Sequence, residues 1–375
     1  MGRQRVSLLL MVAGGCLTGC ADPSPGVSSA VASVSPSAKL ETVASLLEDL
    51  AAPRHPSDGG GRAWLADEAA PVAVGRPGRY RIIYEAGPHG IADGGALYLL
   101  PSPFWGWSGA QTRDPDLPGY TVVSTPAEGV RLDTFSADGQ LLVISIAGRD
   151  LRPGERVEMD YGAGRLGATV DRFSERASPL WVAVDGDGDG VRAVLPDSPV
   201  VPVAAGPAAL MVLTLPSIAR PGEPVRLTVA ILDAIGNAGV EFAGPISLEG
   251  TPPGAEFPES ITLDTSAGGL ATVAITFPFA GTYRLVGTTA DGIMGASNPV
   301  VVSPGGSRIF WGDLHGHSAL SDGTATPEDY LAYARDAAGL DVVALTDHDH
   351  WGLVFLDQAP SLWKEIRDQN ERFYE

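Results

Sequence analysis

Four of the six histidines in this 375-residue chain fall between Arg308 and Gly352: His315, His317, His348 and His350. Asp313, Asp322, Asp347 and Asp349 accompany them. Imidazole and carboxylate donors in one cluster suit divalent zinc, manganese or iron. An ion held in this way can acidify a bound water and act as a Lewis acid. A lone histidine is most often an ordinary packed or surface residue. Two clusters of ligand-competent side chains at the ends of consecutive strands are hard to explain by packing.

The elements that must position these residues follow from the local pattern. Arg308 to Leu314 is short, apolar and aromatic and predicts a buried strand running into His315-Gly316-His317. Two residues apart on extended backbone, the two imidazoles point to the same side. A turn at Ser321-Asp322-Gly323 precedes Thr326-Pro327-Glu328-Asp329, which reads as a helix start. Thr326 is the N-cap, Pro327 the first helical residue and Asp329 the returning carboxylate. Leu331, Ala334, Ala337 and Ala338 keep helical spacing, and Gly339 ends the helix. Asp341 to Thr346 is a near-continuous apolar run, as in a parallel strand covered on both faces, and it delivers Asp347 and His348 at its carboxyl end. The segment is therefore one β-α-β unit with both polar clusters at strand C-termini, where (β/α) barrels carry their chemistry.

GDLHGHSALSDG followed by TPEDYLAYARDAAGLDVVALTDHDHWG resembles the opening of a PHP domain (polymerase and histidinol phosphatase type), and more narrowly the DUF3604 group of bacterial proteins. The HxH, SDG and TDH motifs occur in order over about a fifth of the chain. The resemblance implies a distorted (β/α)7 barrel that binds up to three metal ions at the strand C-termini and hydrolyses phosphate esters. It implies that His315 and His317 hold one metal while Asp322 and His348 contribute to another. Asp347 is expected to orient a ligand or the strand end, with Asp313 in a similar supporting place. The family pattern also needs a bridging Glu, two further His and a late Asp-x-His. A barrel of this type takes roughly 200 residues or more, and the sequence given ends at Glu375, with no histidine in 351–375. Residues 305–375 thus read as the N-terminal portion of such a domain, and SLWKEIRDQNERFYE as a helix.

Met1 to Cys20 has the layout of an export signal, with Arg3 and Arg5 before a short apolar run. That run is too short to span a bilayer. Leu17-Thr18-Gly19-Cys20 resembles a bacterial lipobox, which implies removal of 1–19 and lipidation of Cys20; an ordinary signal peptide is the plainer alternative. Lipidation would leave no cysteine for a disulfide, because Cys16 precedes the cut. Ala21 in place of an aspartate favours the outer membrane over the inner. Residues 20–70 read as a Ser/Pro/Ala-rich tether with a short amphipathic helix over Lys39 to Ala52.

A formal charge of −20 with no basic cluster disfavours a nucleic-acid groove, which would need a Lys/Arg face. Charged residues make up only 19% against 47 Gly and 31 Pro, which suits short strands and tight turns over helical bundles. Residues 71–203 predict a first all-β sandwich, with strands at Tyr80 to Glu85, Ala96 to Leu100, Tyr120 to Val123, Leu141 to Ile146, Arg156 to Met159 and Trp181 to Val184. Residues 204–304 predict a second one, with alternating strands at Val225 to Ile231 and Ala280 to Val286; its Gly-Thr-Tyr entry is similar to bacterial immunoglobulin-like (Ig-like) domains.

Two loops stand out in the first sandwich. Phe104-Trp105-Gly106-Trp107 is either an exposed ligand or glycan platform or a plug that packs on the sandwich end or the next domain. Asp185, Asp187 and Asp189 match the first half of a calcium loop, but the twelfth position is Pro196 and no helix flanks it. An acidic hairpin turn is the default, and a calcium site of another kind stays open. The leading expectation is an exported lipoprotein carrying a metal-dependent hydrolase domain for a small phosphoester substrate. The alternative is a non-catalytic surface protein whose Ig-like domains bind a protein or glycan partner and whose PHP segment is vestigial.

Overall fold

In the computed structural model, the structure describes residues 54–348, apart from 104, 138, 252 and 254, and residues 360–373. The signal, Cys20, the helix expected over 39–52, Asp349 and His350 lie outside the described residues.

The first β unit is made of two sheets around one core. Tyr80–Glu85 alternates apolar and polar, so Tyr80, Ile82 and Tyr84 point inward together. It pairs with Arg62–Leu65 on one side and Arg156–Tyr161 on the other, and Thr121–Ser124 completes a four-stranded antiparallel sheet. Facing it is a seven-stranded sheet whose centre is Glu175–Asp185, flanked by Ala96–Pro101 and Val200–Ala204. Leu97, Leu99, Ile144, Val182 and Val184 of the second sheet meet Ile82, Tyr84, Val157 and Met159 of the first in one core. Burying each such side chain stabilises the fold by about 1.5–3 kcal/mol.

The sandwich therefore begins earlier than the sequence suggests. Arg62–Leu65 lies inside the stretch read as a tether, yet it is an edge strand in full register with Tyr80–Glu85. Four residues between turns offer too short a period for local patterning to reveal them. Arg131–Ala137 also escaped the pattern; it pairs with Leu141–Ala147 through a tight turn.

The second unit has the same logic with a three-stranded sheet (Leu210–Thr214, Pro224–Leu232, Leu270–Thr276) over a six-stranded one centred on Gly281–Thr289. Leu227, Val229, Ile231 and Ile275 close on Ile246, Leu285 and Val300, and Phe277 stacks against Tyr283 at 4.9 Å. Pro224–Leu232 alternates only at its start; from Leu227 onward every residue is buried. The reason is that its outer face is also covered. Ala230 and Leu232 pack against Ala337 of the C-terminal segment.

That segment holds helix α1 (Pro327–Asp336) and a two-stranded parallel sheet, Gly312–Asp313 against Val342–Val343. The β-α-β order is as the sequence predicts. Burial is not: Ile309, Phe310, Leu314 and Val342 are exposed, so the strand read as buried over Arg308 to Leu314 is two residues long and solvent-facing. Trp311 is tied to the second unit instead, donating its indole N–H to Ser217 Oγ at 2.6 Å. Helix α2 (Pro360–Phe373) follows. No described helix is long and apolar enough to cross a membrane.

Candidate metal centre

The centre is built on two strand ends and one turn. Gly312–Asp313 leads into His315 and His317 on extended chain, and their rings lie 4.8 Å apart edge to face. Val342–Val343 runs parallel to it and brings His348 to the same end, with its ring 4.5 Å from that of His317. The turn after His317 returns Asp322, whose Oδ1 is 2.6 Å from His317 Nδ1 and 3.8 Å from His348 Nε2.

Glycines make this close packing sterically feasible. A Cβ at Gly316 would lie 1.9 Å from the Tyr330 hydroxyl, so only glycine lets α1 sit against the HxH strand. A Cβ at Gly323 would meet the His317 carbonyl at 2.1 Å, so the Asp322 turn depends on the same freedom.

His317, Asp322 and His348 are half-buried and offer ligand atoms that lie within 4.8 Å of one another. His315 stands beside this set, with Nδ1 3.4 Å from Thr346 Oγ1. Both pairs implied by the family resemblance, His315 with His317 and Asp322 with His348, are neighbours, and His317 also joins Asp322 and His348 in one group. His317 Nε2 is buried and has no hydrogen-bond partner among the described residues. Two ligand atoms on one tetrahedral ion stand about 3.4 Å apart, from bond lengths near 2.1 Å. At 2.6 Å, the His317–Asp322 contact is a hydrogen bond in which a proton joins the two groups. For both atoms to ligate one ion, that contact has to open to about 3.4 Å.

Around these residues sits a polar frame. Asp347 accepts hydrogen bonds from Ser318 N (2.7 Å), Ser318 Oγ (2.8 Å) and Ser321 Oγ (2.6 Å). It joins the second strand end to the turn after His317. Asp313 is exposed, and its Oδ1 accepts the His315 amide at 3.1 Å. The Tyr330 hydroxyl is pushed up to about 12, first by burial and then by the Asp313 and Asp347 carboxylates.

Helix α1 begins as its sequence dictates. Thr326 caps it, and Thr326 and Asp329 exchange the reciprocal bonds of a capping box with Pro327 at the start. Beside the helix, a cavity of about 660 Å³ opens between the two β units and α1, bounded by Phe173, Leu270, Tyr333, Glu175, Asp329 and His317.

The aspartates of the other candidate loop close a turn. Asp185 accepts Gly188 N at 2.8 Å and Gly190 N at 3.0 Å, and the flanking chain returns as the antiparallel strand Ala193–Val194. Asp58 joins Asp185 and Asp187 there, while Asp189 instead bonds Val191 N. The hydrogen bonds make this loop a hairpin turn, and Asp58, Asp185 and Asp187 bring three carboxylates together on it. Asp58 carries no sequence signal for the role, being over a hundred residues away.

Of the two tryptophans in the aromatic loop, Trp107 is buried in the first core and Trp105 stacks edge-on with Phe173 at 5.5 Å. The loop packs; it is not a free platform. Phe104 lies outside the described residues.

No family model and no curated protein matches the chain. Among solved structures, it is similar to InvD of Yersinia pseudotuberculosis at 14% identity over 67% of this chain and 58% of that one, with a TM-score of 0.27. A β-glycosidase from Bacteroides vulgatus matches at 12% identity over 70% and 26% of the two chains, with a TM-score of 0.25. A type II cohesin dyad from the ScaA scaffoldin of Acetivibrio cellulolyticus matches at 12% over 66% and 98%, with a TM-score of 0.22. This chain thus spans little more than half of the first of these structures and about a quarter of the second. At such scores the likenesses carry no functional argument.

Proposed function

We propose that His317, Asp322 and His348 hold a divalent transition metal ion (zinc, manganese or iron), with His315 adjoining. The observation that carries this is the convergence of three donor side chains at the ends of two parallel strands, where Asp322 Oδ1 lies 2.6 Å from His317 Nδ1 and 3.8 Å from His348 Nε2. The PHP-like motifs support extending it to a metal-dependent hydrolase acting on a small phosphoester, in a domain that holds up to three ions when its ligand set is full. When bound, the metal supplies an acidified water and polarises the ester. The chain's own contribution is positional. Asp347 with Ser318 and Ser321 fixes the two strand ends to each other, and Asp322 holds the His317 ring by its Nδ1. That hydrogen bond sets the tautomer and aim of the imidazole before an ion binds.

The test is metal content and turnover of a generic phosphomonoester in wild type and His317→Ala. Loss of both bound metal and metal-dependent hydrolysis is expected. Unchanged hydrolysis would defeat the assignment.

Export and lipid anchoring through Cys20 belong to the same proposal, on the strength of the Leu17-Thr18-Gly19-Cys20 motif. Cys20→Ala is expected to move the protein from the membrane to the soluble fraction. A membrane-retained variant would overturn the anchor.

A further inference from the structure

The metal turn does not stand on its own segment. It is held at two points by the first β unit, and both holds trace to the Trp105-Gly106-Trp107 loop. Trp105 donates its indole N–H to the backbone carbonyl of Asp322 at 2.7 Å. Trp107 donates to Ser178 Oγ at 2.9 Å, Ser178 Oγ donates to Glu175 Oε1 at 3.1 Å, and Glu175 Oε2 accepts the Ala325 amide at 3.0 Å. The relay therefore ends on the same four-residue turn, three positions beyond Asp322.

Several features mark this as more than incidental contact. Glu175 and Ser178 are almost wholly buried, and a buried carboxylate is costly unless its oxygens are satisfied. Here both oxygens are. Ala325 is the one non-glycine with positive φ among the described residues, at 58°, a conformation that costs an alanine roughly 1 kcal/mol or more. Its amide bonds Glu175 and its carbonyl accepts Ala319 N at 2.8 Å, so the strained residue is held on both sides. Trp105 is itself held by Phe173 and by the Arg172 guanidinium 5.4 Å above its ring. Next to this clamp, Arg176 pairs with Asp329 in the first turn of α1.

We infer that Trp105 and Glu175 are positioning residues for the metal centre, so that the first β unit sets the placement of Asp322 rather than merely carrying the domain. This rests on the metal reading for its consequence and on hydrogen bonding alone for its mechanics. Freed from the clamp, Ala325 relaxes out of its left-handed conformation and Asp322 drifts from His317 and His348.

The experiment uses the full chain, with Co²⁺ alone as the probe. Backbone hydrogen exchange over 319–326 and Co²⁺ titration by visible absorption are followed in wild type, Trp105→Phe, Glu175→Ala and Glu175→Gln. Trp105→Phe and Glu175→Ala are each expected to speed exchange of the turn about tenfold and to weaken Co²⁺ binding about tenfold, with an altered spectrum. Glu175→Gln, whose amide oxygen can still accept the Ala325 N–H, should restore most of both. Exchange in the strands Ala96–Pro101 and Leu141–Ala147 should stay unchanged, which separates loss of the clamp from loss of the fold. Turn exchange at the wild-type rate in Trp105→Phe and Glu175→Ala would overturn the clamp. So would a Glu175→Gln variant no better than Glu175→Ala. A wild type that takes up no Co²⁺ would refute the metal reading, while the exchange arm would still decide the clamp.

Discussion

The β sandwiches and the C-terminal segment are held together in different ways. Each sandwich closes a large apolar core between two sheets, in which side chains such as Tyr84, Leu97, Leu227 and Phe277 are fully buried. The segment with the histidines has a sheet of two two-residue strands, and Ile309, Phe310, Leu314 and Val342 face outward. It is fixed by polar contacts with its neighbours and by small apolar contacts, among them Ala337 against Ala230 and Leu232, with Leu331 and Ala334 of α1 also buried. Apolar burial is non-directional and sums over area, so it builds stability. Hydrogen bonds are individually modest but directional, so they set the placement of ligand atoms to fractions of an ångström. The difference teaches that the segment with the histidines borrows its rigidity from the sandwiches beside it.

The sharpest way to break the contrast is to empty a core. Phe277→Ala should lower the stability of the second unit by about 3–5 kcal/mol, because a large cavity opens beside Tyr283. Leu314→Ala, at a position 43% exposed, should change stability by no more than about 0.5 kcal/mol. Denaturant midpoints of the two variants check this. Comparable losses would show that the C-terminal segment packs far more tightly than its exposure indicates.

A smaller effect is expected at the seam between the two regimes. Asp171 is fully buried near Glu175; its Oδ1 accepts Phe173 N at 2.8 Å and its Oδ2 has no partner among the described residues. Burial, reinforced by the nearby Glu175 charge, raises its carboxyl to about 7. The native state therefore keeps a proton that the unfolded chain releases near pH 4. Stability from this group is full below that point, falls as pH rises, and is lost once pH passes about 7. Asp171→Asn should flatten that slope and stabilise the protein at pH 8 by about 2–4 kcal/mol. Unfolding midpoints at pH 5 and pH 8 decide it, and an unchanged slope in the variant would mean that another group controls it.

Much of the local structure of the centre is legible in the sequence. The alternation in Tyr80–Glu85, the capping box at Thr326 and the HxH, SDG and TDH motifs each act within a few residues, where sequence spacing maps directly onto faces and turns. The hydrogen bonds that Asp347 accepts from Ser318 and Ser321 join two of these motifs. Strands of two to four residues, such as Arg62–Leu65 and Val72–Ala73, were not legible, because so short a stretch has no period of its own.

By itself the sequence determined which side chains could bind a metal, that two strand ends would present them, and that β sheets would precede them. The tertiary structure alone decided which donors meet. It set His317 with Asp322 and His348 and left His315 beside them. It also brought Trp105 to Asp322 across 217 residues and Glu175 to Ala325 across 150. Local propensity acts along the chain over a turn or two, whereas these contacts join residues on different units of the fold. No spacing in the sequence encodes the distance between them.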